Sequence, residues 1–265
     1  FVVIAFEVST CAWNFEELQG CSRAIKTTNG SYIRLKDRLM CIHLLKKENT
    51  LVLGFGRHLL QLVNATTFAF QTPYFIMGPR NCILYSMAMT GDSIENLMIA
   101  SGTVFNDILI WKLKMPKTHF MFNESVSGRD DLLKNRLTSA DQQIMMCKED
   151  ELEIIQTLKG HDGVIFSVTF GENNTLLSTS DDRTVRLWSL EDSSCLFVGY
   201  GHRARVWQAV FYKPNRIVSC SEDTNIKLWD TKTGECVKTL TGHLGKNMWV
   251  VATHQDLIFA GGQNG

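Results

Sequence analysis

Gly-His pairs stand at 160–161, 201–202 and 242–243, a step of 41 residues each time, and Trp188 and Trp229 are also 41 apart. In "LLSTSDDRTVRLW" (176–188) and "RIVSCSEDTNIKLWD" (216–230) an Asp follows the His by 21 residues and precedes the Trp by six. A fixed period of this length means that one supersecondary unit recurs and buries its apolar face against its own copies.

Each repeat breaks into four short apolar runs with alternating character, separated by turn residues such as "GENN" and "SDDR". In the first repeat Phe166, Val168 and Phe170 are expected on one face. Leu176 and Leu177 start a second run, Val185 and Leu187 lead to Trp188 in a third, and "CLFVGY" is the fourth. The second repeat follows in register, with Trp207, Ala209 and Phe211 in the places of Phe166, Val168 and Phe170. The fold class is therefore all-β, built from four-stranded antiparallel sheets.

Residues 160–265 resemble the WD40-repeat family, whose four-stranded blades assemble into β-propellers. The resemblance implies a structural hydrogen-bond chain in each blade, formed by His161, Ser178, Asp182 and Trp188 and then by His202, Ser219, Asp223 and Trp229. A buried polar set of this kind is tolerated only when every member is paired, and it then stiffens the blade. An Asp, a His and a Ser also suggest a hydrolase, but an active site would not be duplicated at the blade period. No catalytic residue is expected.

The pattern fades at both ends. Ala260 stands where the next Ser is expected and Asn264 where the Asp is expected. Upstream, "NLMIASGTVFNDILIWKL" (96–113) keeps Ser101 and Trp111 but has Phe105 at the Asp position, and "NTLVLGFGRHLLQLV" (49–63) retains two strand-like runs with the signature nearly gone. The expectation is one propeller fragment over residues 1–265, with about four full blades and partial blades at both ends. Trp111 and Trp188 are 77 apart, 36 more than one period. Residues 114–150 are thus expected to be a polar insertion loop between a blade's third and fourth strands, with "DDLLKNRL" compatible with one or two helical turns. The chain starts on Phe1 and stops within the pattern, so it is read as an internal piece of a longer protein.

Composition narrows the function classes. Lys plus Arg and Asp plus Glu both number 27, so there is no overall basic field of the kind a dedicated nucleic-acid binder carries. The eight cysteines form no CxxC pair, and the histidines outside the Gly-His pairs show no metal-ligand spacing. No apolar run is long enough to span a bilayer. Reduced core thiols, no metal, no cofactor, no small-molecule substrate and a cytoplasmic location are expected.

"TVFN" before Trp111 and "ARVWQ" after the second Gly-His pair make the resemblance more specific over roughly residues 80–265. There the chain resembles the family of WD-repeat-containing protein 6, non-catalytic partners of a tRNA 2′-O-ribose methyltransferase. What that resemblance implies is a scaffold that binds the methyltransferase and helps position tRNA for methylation of the wobble nucleotide in the anticodon loop. The alternative is a WD40 scaffold in signalling, trafficking or ubiquitin-ligase assembly. In blade geometry the residues after Gly-His lie at one rim, so Arg203, Arg205, Lys246 and Asn247 are the partner or tRNA-binding candidates, with Trp207 and Trp249 behind them. The competing expectation is that the arginines pair with loop carboxylates such as Glu222 and that the two tryptophans pack between blades.

Overall fold

The computed structural model describes residues 24–26, 32–34, 39–66, 71, 76–80, 82–114, 152–241 and 247–263. Most of the 114–150 insertion, Gly242–Lys246 and Asn264 lie outside them. The described elements are strands, apart from one 3-10 turn at Ile94–Asn96. They form two compact units.

The first unit contains a short hairpin, β1 (Ala24–Lys26) with β2 (Tyr32–Arg34), and a four-stranded antiparallel sheet. That sheet runs in chain order through β3 (Leu39–Leu45), β4 (Thr50–Phe55), β5 (Leu59–Asn64) and β6 (Ile76–Met77). Both β4 and β5 are buried almost throughout, which is why their sequences read as continuous apolar runs. Leu51, Leu53, Phe55, Leu59 and Val63 make its core. "GFG" is a strand end and hairpin turn. A Cβ on Gly78 would come within 2.4 Å of the His58 ring, so only glycine lets the chain pass there.

The second unit holds three more four-stranded antiparallel sheets, each in chain order except for direction. They are β7 (Leu84–Thr90), β8 (Met98–Thr103), β9 (Asp107–Leu113) and β10 (Leu152–Lys159); β11 (Ile165–Phe170), β12 (Thr175–Ser180), β13 (Val185–Ser189) and β14 (Cys195–Gly199); and β15 (Val206–Lys213), β16 (Arg216–Ser221), β17 (Ile226–Asp230) and β18 (Cys236–Leu240). A hairpin, β19 (Met248–His254) with β20 (Leu257–Gly262), follows. The insertion joins β9 to β10, a sheet's third strand to its fourth.

Successive sheets pack face to face through their first two strands. Ala100, Ile108 and Ile110 meet Ile165, Val168, Leu176 and Trp188 of the next sheet. Leu177, Val185 and Leu187 meet Val206, Ala209, Ile217 and Trp229 in turn. Each repeat tryptophan therefore seals its own sheet against the preceding one. The fourth strand β18 is largely exposed, whereas β14 buries Phe197 and Gly199.

The expected single face of Phe166, Val168 and Phe170 does not form. A bulge between Ile165 and Ser167 adds one residue to β11, and Ile165 and Val168, three apart, are the buried pair. The same bulge occurs between Val206 and Gln208 in β15.

The hairpins β4–β5, β8–β9, β12–β13 and β16–β17 carry a left-handed residue at one shared register: His58, Asn106, Arg183 and Thr224, with φ between 61° and 70°. Asn is at ease there, whereas β-branched Thr224 is strained. Of the described cysteines, Cys220 is buried and its thiol is pushed up to about 12 by loss of hydration. Cys195 and Cys236 contradict the expected core placement: both sit exposed at the same register of the outermost strands.

Candidate functional site

The repeated constellation assembles twice. His161 has Nδ1 2.7 Å from Asp182 Oδ2 and Nε2 2.8 Å from Ser178 Oγ, and Trp188 Nε1 donates to the same hydroxyl at 2.8 Å. In the next sheet His202 lies 2.9 Å from Asp223 and 2.8 Å from Ser219, and Trp229 Nε1 donates to Ser219 at 2.8 Å. Protons can be placed in only one sense that satisfies every group. Trp N–H donates to Ser oxygen, Ser O–H donates to neutral His Nε2, and His Nδ1–H donates to the carboxylate.

The carboxylates also organise the turns. Asp182 accepts from the backbone N–H of Asp162 and of Thr184, and Asp223 accepts from Arg203 and Asn225. Burial opposes the charge on Asp182, but the bonds from His161, Thr184 and the Asp162 amide outweigh it and hold the carboxyl well below its ordinary range. Asp223 is lowered in the same way. Burial lowers the His161 pKa, against the pull of Asp182, so the ring stays neutral.

The distances match those of a Ser-His-Asp catalytic triad, yet the set cannot act as one. Ser178 is 1% exposed and Ser219 0%, and each hydroxyl oxygen is occupied by a tryptophan N–H. A nucleophile needs an open approach to a substrate carbonyl. These are blade-stiffening networks. In the β7–β10 sheet only the bond from Trp111 Nε1 to Ser101, 3.0 Å, survives. Arg80, four residues before Leu84 as His161 is before Ile165, takes the His register and Phe105 the Asp register. In the β3–β6 sheet Leu53 and Val63 stand at the Ser and Trp registers and are both buried.

The rim candidates are placed differently from one another. Arg205 Nε lies 2.9 Å from Glu222 and 3.4 Å from Asp181, so one guanidinium links the β16–β17 turn to the β12–β13 turn of the preceding sheet. It also lies over the rings of Trp207 and Phe166, at 5.5 and 6.0 Å. Its charge is thus largely spoken for, as the pairing expectation had it for Glu222. The side chain of Arg203 is exposed and has no ion-pair partner among the described residues. Asp162, at the same register one sheet earlier, is also exposed, with the opposite charge. Asn247 donates to Gln263 Oε1 at 3.2 Å and closes the end of the β19–β20 hairpin. Lys246 lies outside the described residues. The structure therefore joins Arg205 to its neighbours and does not bring Arg203 or Asn247 into that cluster.

Trp207 packs between sheets, its ring 4.6 Å from that of Phe166. Trp249 departs from the same expectation: it is 51% exposed. Sequence reasoning also missed Asp181 and Tyr85. Asp181 was hidden because its partner comes from another repeat. Tyr85, whose ring meets Phe166 edge-on at 5.7 Å, lies in a repeat whose signature has decayed. Among the described residues no three His, Cys, Asp or Glu side chains gather as metal ligands. No described helix is long and apolar enough to cross a membrane.

A family model described as "WD domain, G-beta repeat" matches residues 152–189 and 193–230. Transcription initiation factor TFIID subunit 5 of Drosophila melanogaster is 33% identical over 105 residues, 39% of this chain and 14% of that protein. The tRNA (34-2′-O)-methyltransferase regulator WDR6 of Mus musculus is 33% identical over 112 residues, 42% of this chain and 7% of that protein. Its Drosophila melanogaster counterpart is 28% identical over 112 residues, 42% of this chain and 9% of that protein. The aligned stretch is thus a small part of each relative's length. Among solved structures, the WD40 β-propeller domain of Doa1 superposes with a TM-score of 0.57 at 16% identity, covering 85% of this chain and 62% of that one. The computationally designed protein Ika8 gives 0.58 at 16% identity, covering 88% and 59%. With two matched repeats, the twofold His-Ser-Asp-Trp network and these superpositions, the chain carries WD40 repeats and has the WD40 β-propeller fold.

Proposed function

We propose that this chain is a non-catalytic scaffold that binds a tRNA 2′-O-ribose methyltransferase and helps position tRNA for methylation of the wobble nucleotide. The observation that carries this reading is the similarity over 112 residues to methyltransferase regulators of fly and mouse, at 28–33% identity. The chemistry of the repeats agrees with it. Buried, fully bonded networks suit a rigid support and leave no accessible nucleophile. A cytoplasmic location belongs to the same reading. The test is affinity capture with the tagged chain from cells of its source. Recovery of a ribose 2′-O-methyltransferase, in amounts comparable to the bait, supports the reading, and its absence among the partners refutes it.

A second reading has its own observation. The fly TFIID subunit is 33% identical over much the same length of chain, so a WD40 protein-interaction scaffold in a different assembly is favoured if the methyltransferase is absent. The rim candidates belong to either reading. Arg203→Glu should weaken partner binding more than Arg205→Glu does directly, because Arg205 is held by two carboxylates.

A further inference from the structure

Outside the buried networks a second pair recurs at the 41-residue step, a cation on the third strand and a cysteine at the start of the fourth. The pairs are Arg186 with Cys195 and Lys227 with Cys236. Pairing of the third strand with the fourth passes over one residue in each sheet, Leu196 in β14 and Val237 in β18. Residues three apart on a regular strand point to opposite faces. The extra residue cancels that offset, so Cys236 comes to the same face as Thr239, which stands opposite Lys227.

Three side chains meet there. Lys227 Nζ donates to Thr239 Oγ1 at 2.9 Å and lies 3.9 Å from Cys236 Sγ, and that sulfur is 3.6 Å from the same hydroxyl. The nitrogen also stands over the Trp229 ring, 5.9 Å from its centre. A Cβ on Gly201 would come 3.9 Å from it, so the amine sits on the side of the sheet that faces the preceding one. Hydroxyl and ring hold the end of the lysine beside the thiol, and Cys236 itself is exposed.

A thiol and an amine so placed can be joined by a mild oxidant. A cysteine thiolate attacks one oxygen of hydrogen peroxide, the O–O bond breaks, and the sulfur becomes a sulfenic acid as water leaves. The sulfenic sulfur is an electrophile that condenses with nitrogen nucleophiles. Lys227, once its ammonium has given a proton to solvent, attacks that sulfur through Nζ. The S–O bond breaks, the departing hydroxide takes a proton from the nitrogen, and an S–N bond remains. In sum one thiol, one neutral amine and one peroxide give one sulfenamide and two waters, the sulfur losing the two electrons that the peroxide gains.

Cys195 supplies the comparison within the same chain. Its thiol bonds with Arg186, which lies 5.8 Å over the Trp188 ring. A guanidinium stays protonated and offers no lone pair to a sulfenic acid. Burial also raises the Cys195 pKa, against the pull of Arg186, which slows its oxidation.

We propose that Cys236 and Lys227 form a peroxide-responsive modification site at which an S–N bond between the two side chains staples β17 to β18. The site goes beyond the scaffold reading and does not depend on which partner the chain holds. The test treats the full chain with hydrogen peroxide, digests it and follows the products by mass spectrometry. The expected product joins the peptides that carry residues 227 and 236, lighter than their sum by two hydrogens, and a thiol reductant returns both. Its yield should rise on the order of tenfold from pH 7 to pH 9 as the amine loses its proton. Lys227→Arg keeps the charge and the ring contact and should abolish the product, as should Cys236→Ser, with thermal unfolding of each variant reporting that the sheet is intact. No product should join Cys195 to Arg186. Three results overturn the proposal: Cys236 passing to a sulfinic acid while Lys227 stays free, the same cross-linked yield in Lys227→Arg, or a cross-link at Cys195 in comparable amount.

Discussion

Ser178→Ala should destabilise its sheet about twice as much as Ser101→Ala, although both remove one fully buried serine hydroxyl. The Ser178 oxygen accepts from Trp188 Nε1 and its proton goes to His161 Nε2, so removing it leaves two buried polar groups unsatisfied. Ser101 receives Trp111 Nε1, and no histidine stands at the corresponding place, so removing its hydroxyl strands one. Each stranded group costs about 1–3 kcal/mol, which gives about 2–6 kcal/mol for Ser178 and about 1–3 for Ser101. Ser219→Ala should match Ser178→Ala. Urea titrations followed by tryptophan fluorescence report the total, and amide hydrogen exchange in β8, β12 and β16 assigns the loss to the sheet that carries the substitution. A double-mutant cycle of Ser178→Ala with Trp188→Phe isolates the tryptophan bond. Equal losses at Ser101 and Ser178 would refute the view that the network is a chain of mutually dependent bonds.

Acid should weaken the first unit early. Burial lowers the His58 pKa from 6.5 to about 4, against a bond to the Arg80 carbonyl. Stability from that ring is complete above pH 6.5 and is lost as pH falls toward 4, by about 3 kcal/mol, and His58→Asn should flatten that limb of a pH–stability curve. Below pH 3.8 the protonation of Asp182 and Asp223, whose folded pKa values lie lower, should add a second loss absent from Asp182→Asn/Asp223→Asn. Thr224→Asn relieves a left-handed β-branched residue and should raise the urea midpoint by up to about 1 kcal/mol equivalent. Arg205→Ala should cost under about 1 kcal/mol in the same titration, because both of its ion pairs are partly solvated.

The strands of the two complete repeats could be read because the period duplicates every landmark, and each landmark has one structural duty. His161 and His202 carry the same bonds, so one copy interprets the other. The β3–β6 sheet was harder for a physical reason. Replacing Ser and Trp by Leu53 and Val63 keeps the packing and discards the polar signal, since an apolar pair satisfies burial without any partner. What still marks the register there is His58 in the left-handed turn shared with Asn106, Arg183 and Thr224, a backbone property that residue type alone does not reveal.

Two features of the rim were not legible in the sequence. Charges can be counted from sequence, but Arg205 is neutralised by Asp181, 24 positions earlier and in a different sheet. Two-residue alternation assigns position 207 to the face of 209 and 211, whereas the bulge turns it out of that face. Together they leave the described part of the rim less basic than its two arginines suggest. The distinction matters for function. Free cations would draw a phosphate backbone by a salt-sensitive field, whereas a guanidinium already shared by two carboxylates adds little to such a field. Of the two rim arginines, Arg203, exposed and without an ion-pair partner among the described residues, is the one left free to meet such a backbone.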